Sequence, residues 1–194
     1  SVGNSFFRNP WVIAPASTDA RDGLGPLFNT NACQNCHIKD GRGHPPAPDA
    51  KQAVSMLVRL SVPASATDDL SRSGLVPEPN YGGQFQDAAI PGLSPEGRVR
   101  VSYEPQTMTF ADGHQVELRK PRLAFSDLAY GDMHPATLYS ARVAPPMIGL
   151  GFLEAIPDAD LLAHADPHDE DGDGISGRAN RVWDRATGTT AMGR

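Results

Sequence analysis

The stretch Cys33-Gln34-Asn35-Cys36-His37 contains both cysteines of this 194-residue chain. Two cysteines three residues apart lie on one face of a helical turn, where each thiol can form a thioether with a haem vinyl group. The imidazole of His37 follows directly and can reach the iron as its proximal axial ligand. The pattern therefore predicts a covalently attached c-type haem, held by Cys33, Cys36 and His37.

Other interpretations of the same spacing fit less well. A thioredoxin-like redox pair shares C-x-x-C but expects a βαβ setting, which the surrounding sequence lacks. A structural zinc site needs four ligands, and the only further candidate close by is His44, which we interpret as an exposed loop histidine. A disulfide across two residues is strained.

Composition excludes several classes of protein. With 17 basic and 23 acidic residues, the net charge of −6 argues against binding of nucleic acid or anionic lipid. The 19 glycines and 18 prolines predict many tight loops. No apolar run approaches the ~18 residues of a membrane span. The chain starts at Ser1 without a signal peptide, and we interpret it as a processed product.

The second axial ligand of the iron is left open by the sequence. Met147 is the first candidate, because two prolines stiffen the backbone of Ala144–Met147 in an apolar context that would shelter a thioether–iron bond. His134 comes second, and a vacant position is the third possibility. Arg59 is a candidate partner for a haem propionate, and a surface position suits it equally well.

Alternating apolar residues predict strands in two places. Residues 52–62 alternate loosely, and residues 98–119 alternate more clearly as a β-hairpin. A three-residue loop, Ala111-Asp112-Gly113, pairs Phe110 with His114 and Met108 with Val116, keeping one apolar face with Gly113 in a left-handed position. The sequence also predicts short helices at 23–30, 134–142 and 157–164, an irregular stretch at 63–97 and a buried segment at 149–156.

An acidic loop at 166–180 has the opening pattern of a calcium loop. Asp169, Asp171 and Asp173 alternate ahead of Gly174, and the carbonyl of Ile175 would point inward. Position 12 is Asn180 rather than a bidentate glutamate, so the loop is not a full EF-hand. The spacing predicts Ca²⁺ bound by Asp169, Asp171, Asp173 and Ile175, against a simple solvated acidic loop as the alternative.

Taken together, these segments resemble the di-haem oxidoreductase family, also described as thiol oxidoreductases and related to bacterial di-haem cytochrome c peroxidases. The likeness spans nearly the whole chain. The matching segments are Asp22–Asn29, Cys33–His37, Asp40–Gly43, Tyr81–Asp87, Pro95–Val99, Ala144–Ile156 and Asp169–Arg178.

The resemblance implies a mainly α, cytochrome c-like fold with long irregular loops and a β-hairpin insertion, here a single haem domain over residues 1–194. The family carries a second C-x-x-C-H motif, which this sequence lacks, so we expect the N-terminal portion of a longer protein. Its partners would be the C-terminal haem-bearing portion or chain and an electron-donor or electron-acceptor protein. Because haem c is attached outside the cytoplasm, the resemblance implies a periplasmic location.

Two functions compete. The first is a c-type haem that transfers electrons within a di-haem, peroxidase-like oxidoreductase, with the chemistry supplied by the iron. The alternative is a stand-alone, non-enzymatic electron carrier, or a subunit of a larger cytochrome assembly. A third, weaker interpretation is an interaction module in which haem and calcium are structural.

Overall fold

The computed structural model describes residues 2–48, 50 and 53–193. Over these residues the chain forms four short α-helices: α1 (Val2–Arg8), α2 (Cys33–Cys36), α3 (Leu150–Glu154) and α4 (Asp158–Ala163). It also forms nine strands: β1 (Leu27–Phe28), β2 (Met56–Ser61), β3 (Gln84–Phe85), β4 (Ala88–Ala89), β5 (Arg98–Thr109), β6 (Gln115–Ser126), β7 (Leu138–Val143), β8 (Arg181–Asp184) and β9 (Thr189–Met192). Single 3₁₀ turns cover Asp19–Arg21 and Ile38–Asp40.

The predicted mainly α, cytochrome c-like fold is wrong. The structure is about 15% helical and 30% strand, and its longest described α-helix has seven residues. The C-x-x-C-H motif requires only one helical turn, and α2 provides that turn in four residues. The frequent glycines and prolines leave few runs in which longer helices are stable. The motif therefore predicts an attachment site but not a fold class.

The described strands form four antiparallel sheets, and the chain divides into two compact units. The sheets are β1–β4, β3–β2–β7, β5–β6 and β8–β9. The first unit comprises Ser1–Pro63 and Pro77–Met147, and it contains the first three sheets. The second comprises Ala64–Val76 and Ile148–Arg194, and it contains β8–β9.

The core of the first unit is built on β2. Met56, Val58 and Leu60 alternate inward along this strand and are almost fully buried. The ring of Phe85 lies 5.2 Å from that of Phe125 in an edge-on contact and 5.8 Å from that of Tyr81. The predicted strand over 52–62 is confirmed over Met56–Ser61, and residue 52 lies outside the described residues.

A buried carboxylate ties two distant loops of the first unit together. Glu78 is 1% exposed, and its side chain accepts backbone N–H bonds from Asn80 at 2.7 Å, Tyr81 at 2.6 Å and His134 at 2.7 Å. The Tyr81 hydroxyl in turn donates to the Gly131 carbonyl at 2.5 Å. Burial of a charged group is tolerated here because several N–H groups solvate it.

The β-hairpin is confirmed, and it is longer than the predicted 98–119. Strands β5 and β6 pair without interruption from Arg98–Ser126 to Thr109–Gln115. The three-residue loop is the one expected: Met108 pairs with Val116, the Phe110 N–H donates to the His114 carbonyl at 2.9 Å, and Gly113 has a φ of 84°. A left-handed φ at this position suits glycine because a Cβ would be strained there.

Several local predictions are wrong. Residues 23–30 are extended rather than helical, because Leu27–Phe28 pair with β4. The predicted helix at 134–142 is a turn followed by β7, which pairs with β2 along six residues. The segment 149–156 was expected to be buried, yet Leu150, Phe152 and Leu153 are 45%, 83% and 49% exposed.

The second unit contains short elements joined by polar turns. Helix α4 confirms the predicted helix after Pro157. The guanidinium of Arg72 lies 5.0 Å from the centre of the Trp183 ring, a cation–π contact between the 64–76 segment and β8. In the β8–β9 turn, hydrogen bonds from Thr187 and the Ala186 N–H lower the pKa of Asp184. No described helix has the length and apolarity needed to cross a membrane.

Candidate haem site

The cysteines lie on one short helical turn. Helix α2 begins at Cys33 and ends at Cys36, and the His37 N–H closes the turn by donating to the Cys33 carbonyl at 3.0 Å. Both thiols are free, with Cys33 exposed and Cys36 half-buried. The Asn35 side chain secures the turn by donating to the Thr30 hydroxyl at 2.8 Å. Neither sulfur atom is in a disulfide, so both cysteines remain thiols.

The imidazole of His37 is oriented by a carbonyl far away in sequence. Its Nδ1 lies 2.8 Å from the Pro145 carbonyl oxygen. A carbonyl can only accept, so Nδ1 carries the proton and Nε2 carries the lone pair. This is the tautomer that a metal-binding histidine needs, with the ring held by a hydrogen bond on its other nitrogen.

The segment that carries Pro145 is bonded to the loop after the motif. The Gly43 N–H donates to the Ala144 carbonyl at 2.9 Å, and the Ala144 N–H donates to the Ser55 carbonyl at 2.9 Å. The Met147 N–H donates to the Asp40 carbonyl at 3.0 Å. We call residues 144–147 the strap. Three backbone bonds thus fix the strap beside His37.

Gly43 lies where no side chain fits. A Cβ at this position would be 2.6 Å from the Ser55 Cβ, 2.9 Å from the Ser55 carbonyl oxygen and 3.0 Å from that of Cys36. Contacts this short force the backbone apart. Neither Gly43 nor the Pro145 carbonyl was identified from the sequence. The glycines after the motif and the prolines before Met147 were visible, but not their contact across about a hundred residues.

The thiol of Cys36 is partly desolvated. Its Sγ donates to the Val54 carbonyl at 2.8 Å. Burial raises the pKa of Cys36, and the nearby Cys33 and Asp87 raise it further. The Phe7 ring of α1 lies 6.1 Å from the His37 ring and covers one side of the motif. The motif therefore has an apolar ring on one side and a carboxylate in its neighbourhood.

Arg59 lies on the exposed face of β2. Its Nη1 is 3.4 Å from the Gln84 side-chain oxygen, and the Gln84 amide donates to Asn29 at 2.7 Å. The Asn29 amide donates to Asp87 at 3.1 Å, and Asp87 is close enough to Cys36 to affect its pKa. A continuous polar strip therefore runs from Arg59 towards the motif. The role of Arg59 as partner of a haem propionate stays a prediction.

Met147 and His134, the candidates for the second axial position, both make hydrogen bonds within the protein. The backbone of Met147 is tied to Asp40, three residues after His37, and its side chain is 36% exposed. The Nδ1 of His134 accepts the Ala136 N–H at 3.1 Å. A neutral imidazole that accepts at Nδ1 carries its proton on Nε2 and has no second lone pair for iron. His44 is exposed, as expected.

The acidic loop brings together a different set from the predicted one. Carboxylate oxygens of Asp166, Asp169 and Asp171 lie within 4.8 Å of one another. Asp173 is not in this group, and its carboxylate accepts the Ile175 N–H at 2.7 Å. Asp166 was missed because the calcium-loop pattern was counted from Asp169. The β-bridge between Asp166 and Gly177 closes the loop and brings Asp166 to the other two carboxylates, which the sequence pattern does not indicate.

One known protein family matches almost the whole chain. The family model described as "Di-haem oxidoreductase, putative peroxidase" matches residues 2–192. The chain belongs to the di-haem oxidoreductase family. Searches of curated proteins and of solved structures found no match. The family name implies haem, and the free Nε2 of His37 beside two free thiols fits that group. With two cysteines, these 194 residues contain one C-x-x-C-H motif.

Proposed function

We propose that this member of the di-haem oxidoreductase family holds one c-type haem and uses it for electron transfer in a peroxidase-like enzyme. The observation that carries the proposal is the hydrogen bond from His37 Nδ1 to the Pro145 carbonyl at 2.8 Å. It selects the tautomer with a free Nε2 and fixes the ring before any metal binds. Preorganisation of this kind is expected of an axial ligand and not of a surface histidine.

Each residue of the site would have a separate role in holding the haem. Cys33 and Cys36 would hold the haem covalently: each thiol would add across a vinyl group, with a sulfur–carbon bond formed and the thiol hydrogen passed to the other vinyl carbon. His37 Nε2 would donate to the iron, and the strap would keep the ring from rotating. When bound, the haem would supply one-electron redox chemistry. Phe7 would shield one side of His37 from water.

The sixth iron position is proposed to be open to external ligands rather than filled by Met147 or His134. The tether from Met147 to Asp40 supports a place for Met147 on the His37 side of a bound haem. A methionine side chain is too short to pass around the porphyrin edge to the opposite side. The His134 tautomer lacks the lone pair that ligation requires. An open position argues against a stand-alone carrier, whose iron would be held by two firm ligands, and favours a haem that works within an enzyme.

Calcium and location belong to the same proposal. The clustering of Asp166, Asp169 and Asp171 supports a Ca²⁺ site of moderate or weak affinity, since three carboxylates this close repel one another without a cation. Attachment of haem c outside the cytoplasm supports a periplasmic location. The expected partners are an electron donor or acceptor and a portion or chain that carries the second haem.

Attachment is tested by denaturing the purified protein under reducing conditions and separating it from free haem. Haem should remain on the wild-type chain and be lost from the Cys33→Ala/Cys36→Ala variant. His37→Ala should keep covalent haem with an altered visible spectrum, and His44→Ala, an exposed histidine of the next loop, should match wild type. Complete release of haem from the wild-type protein would refute thioether attachment.

Coordination is tested by the visible spectrum of the reduced protein with and without carbon monoxide. A shift of the main absorption band is expected, because an open or weakly held position binds the gas. Met147→Leu should leave the spectrum before addition unchanged. An unchanged spectrum after addition, together with a changed one in Met147→Leu, would instead support a six-coordinate carrier with Met147 as ligand.

A further inference from the structure

The chain turns sharply directly after the haem motif, and it does so in a left-handed conformation. Lys39 has a φ of 55° and a ψ of 40°, and Asp40 has a φ of 60°. The Gly41 N–H closes the turn by donating to the Ile38 carbonyl at 3.0 Å. Positive φ at both central residues is the geometry of a type I′ turn. We call residues 38–41 the I′ turn.

The central residues of the I′ turn do not suit its geometry. Type I′ turns favour Asn-Gly, Asp-Gly or Gly-Gly at the centre, because a Cβ is crowded when φ is positive. Here the central pair is Lys39-Asp40, and lysine is not among the residues enriched in the left-handed region. Among the described non-glycine residues with positive φ, only these two are adjacent. The I′ turn is therefore strained, and other contacts must hold it.

Backbone hydrogen bonds supply those contacts. The side chains of Lys39 and Asp40 are both exposed, whereas the backbone of Asp40 is bonded on both of its sides. Its N–H donates to the His37 carbonyl at 3.0 Å, and its carbonyl accepts the Met147 N–H at 3.0 Å. Asp40 thus connects the backbone of the candidate axial histidine to one end of the strap.

The hand of the turn decides which way the Asp40 carbonyl points. A type I′ turn is the mirror image of a type I turn, so a right-handed turn would direct the peptide after Asp40 to the opposite face. The Met147 N–H would then lose its acceptor. The other end of the strap is held separately, by the bond from the Gly43 N–H to the Ala144 carbonyl. The Pro145 carbonyl, which orients His37, lies between these two ends.

We propose that the I′ turn positions the axial histidine, with Asp40 as a positioning residue that acts through the strap. The Asp40 carbonyl anchors the Met147 end of the strap, which keeps the Pro145 carbonyl within hydrogen-bond distance of His37. The strain is retained because relaxing the turn would break this anchor. The inference rests on the proposed role of His37 as iron ligand. It adds that the site requires the backbone conformation of Asp40 and not its carboxylate.

Two substitutions at one position separate the backbone from the side chain. Asp40→Val and Asp40→Gly both remove the carboxylate and keep the carbonyl. Valine is β-branched and disfavours a positive φ, whereas glycine adopts it freely. In the full chain before haem is attached, Asp40→Val should raise the hydrogen-exchange rate of the Met147 amide about tenfold or more. It should also lose the single Nδ1–H tautomer in the ¹⁵N spectrum of His37. Asp40→Gly should keep both properties.

The same spectra report folding and specificity. The Leu60 amide, which donates to the Gly83 carbonyl at 3.1 Å in the core, should stay protected in every variant. Arg42→Val, which places valine at an exposed position of the same loop, should match wild type. Wild-type exchange and tautomer in Asp40→Val would overturn the proposal. Equal losses in Asp40→Val and Asp40→Gly would overturn it too, because they would assign the effect to the carboxylate.

A gain of stability tests the strain without a disruptive variant. Lys39→Asn/Asp40→Gly places the preferred Asn-Gly pair at the centre of the I′ turn. It should raise the melting temperature by about 2–4 °C and keep the His37 tautomer. An unchanged or lower melting temperature would mean that the I′ turn holds no strain, against the proposal.

The midpoint potential of the haem-loaded protein gives a third readout. A carbonyl bonded to Nδ1–H raises the basicity of the coordinating nitrogen and so favours ferric iron. The potential should therefore be more positive in Asp40→Val than in Asp40→Gly, since both lack the same charge and only valine disturbs the strap. Equal potentials would contradict the link from the I′ turn to the iron. Failure of wild type to hold haem would refute the proposed function, whereas the tautomer before attachment would still decide whether the I′ turn positions His37.

Discussion

The haem-motif loop and the acidic loop are built in different ways. His37 and Cys36 are held by carbonyls 108 and 18 residues away, and the strap bonds back to the motif loop through Gly43 and Asp40. In the acidic loop, Asp166 and Asp169 accept N–H bonds from residues only four and five positions away. One loop is placed by the core, and the other is folded by its own turns.

This difference indicates which loop keeps its conformation when no ligand is bound. Long-range bonds to Val54, just before β2, and to the strap keep the haem-motif loop in place as long as the core is intact. The acidic loop has exposed local bonds of low individual value and a cluster of like charges. We therefore expect the haem site to respond to damage in the core, and the acidic loop to respond to cations.

The largest expected effect comes from Glu78, which ties the 77–82 loop to the turn before β7. Glu78→Ala removes an acceptor from three backbone N–H groups at a buried position, and should lower the free energy of unfolding by about 3 kcal/mol or more. Denaturant unfolding measures the loss. Glu117→Ala, an exposed carboxylate on β6, serves as the control and should change stability by less than about 0.5 kcal/mol.

If Glu78→Ala and Glu117→Ala were equally mild, the contrast between buried long-range and exposed local carboxylates would fail. Glu78→Gln gives a finer measure. Its amide oxygen retains part of the acceptor capacity, so it should lie between wild type and Glu78→Ala.

Gly43 comes next. Gly43→Ala puts a Cβ 2.6 Å from that of Ser55 and pushes the strap away from the motif, at a cost of about 1–3 kcal/mol. The ¹⁵N spectrum of His37 in the apoprotein should lose the single Nδ1–H tautomer. Gly25→Ala is the control, because its Cβ would have only ordinary contact, 3.7 Å from the Leu27 carbonyl oxygen. An unchanged tautomer in Gly43→Ala would mean that the strap does not position His37.

Calcium binding tests the acidic loop directly. Isothermal titration with Ca²⁺ should show binding that Asp166→Asn and Asp171→Asn each weaken at least tenfold, because each removes a charged ligand. Asp173→Asn should stay within about twofold of wild type, because Asp173 lies outside the cluster. The reverse pattern would favour the ligand set predicted from the sequence. No heat of binding to wild type would refute the site.

The sequence predicted features that depend on neighbours along the chain. Alternation together with Gly113 was enough for the register of the β5–β6 turn, and the C-x-x-C-H spacing was enough for helix α2. Pairing between distant segments was not visible. Residues 138–143 form a strand because they pair with six residues of β2, and no local sequence pattern predicts that pairing. The apolar residues of 149–156 indicated burial, but apolar composition does not say which surface covers a segment.

The β5–β6 ribbon also shows what the sequence cannot predict. Its apolar residues lie on one face near the base, at Val99 and Val101, and on the other face near the tip, at Met108 and Phe110. The change from odd-numbered to even-numbered apolar residues after Tyr103 is present in the sequence. A bulge would have returned Met108 and Phe110 to the core side, and only the continuous pairing shows that there is none. Sequence alternation therefore predicts the strands, while the structure decides where the second apolar face points.

The smallest expected effect concerns Glu96, a second buried carboxylate of the first unit. Burial raises the pKa of Glu96, the Gln86 N–H bond lowers it, and the negative charge of Glu78 raises it again. The folded state therefore binds the Glu96 proton more tightly than the unfolded state does. Its contribution to stability is full below the ordinary glutamate pKa and is lost as the pH rises through the raised value.

Glu96→Gln should accordingly be more stable than wild type at pH 8, with the difference shrinking towards zero near pH 4. The amide oxygen can still accept the Gln86 N–H, and it carries no charge to repel Glu78. Denaturant midpoints of both proteins at the two pH values isolate this residue, because the substitution at Glu96 is the only difference between them. If Glu96→Gln lost stability relative to wild type as the pH rose, the Glu96 carboxylate would be stabilising when charged. The hydrogen bond from Gln86 would then outweigh burial, and the buried carboxylates of the first unit would act like the exposed ones of the acidic loop.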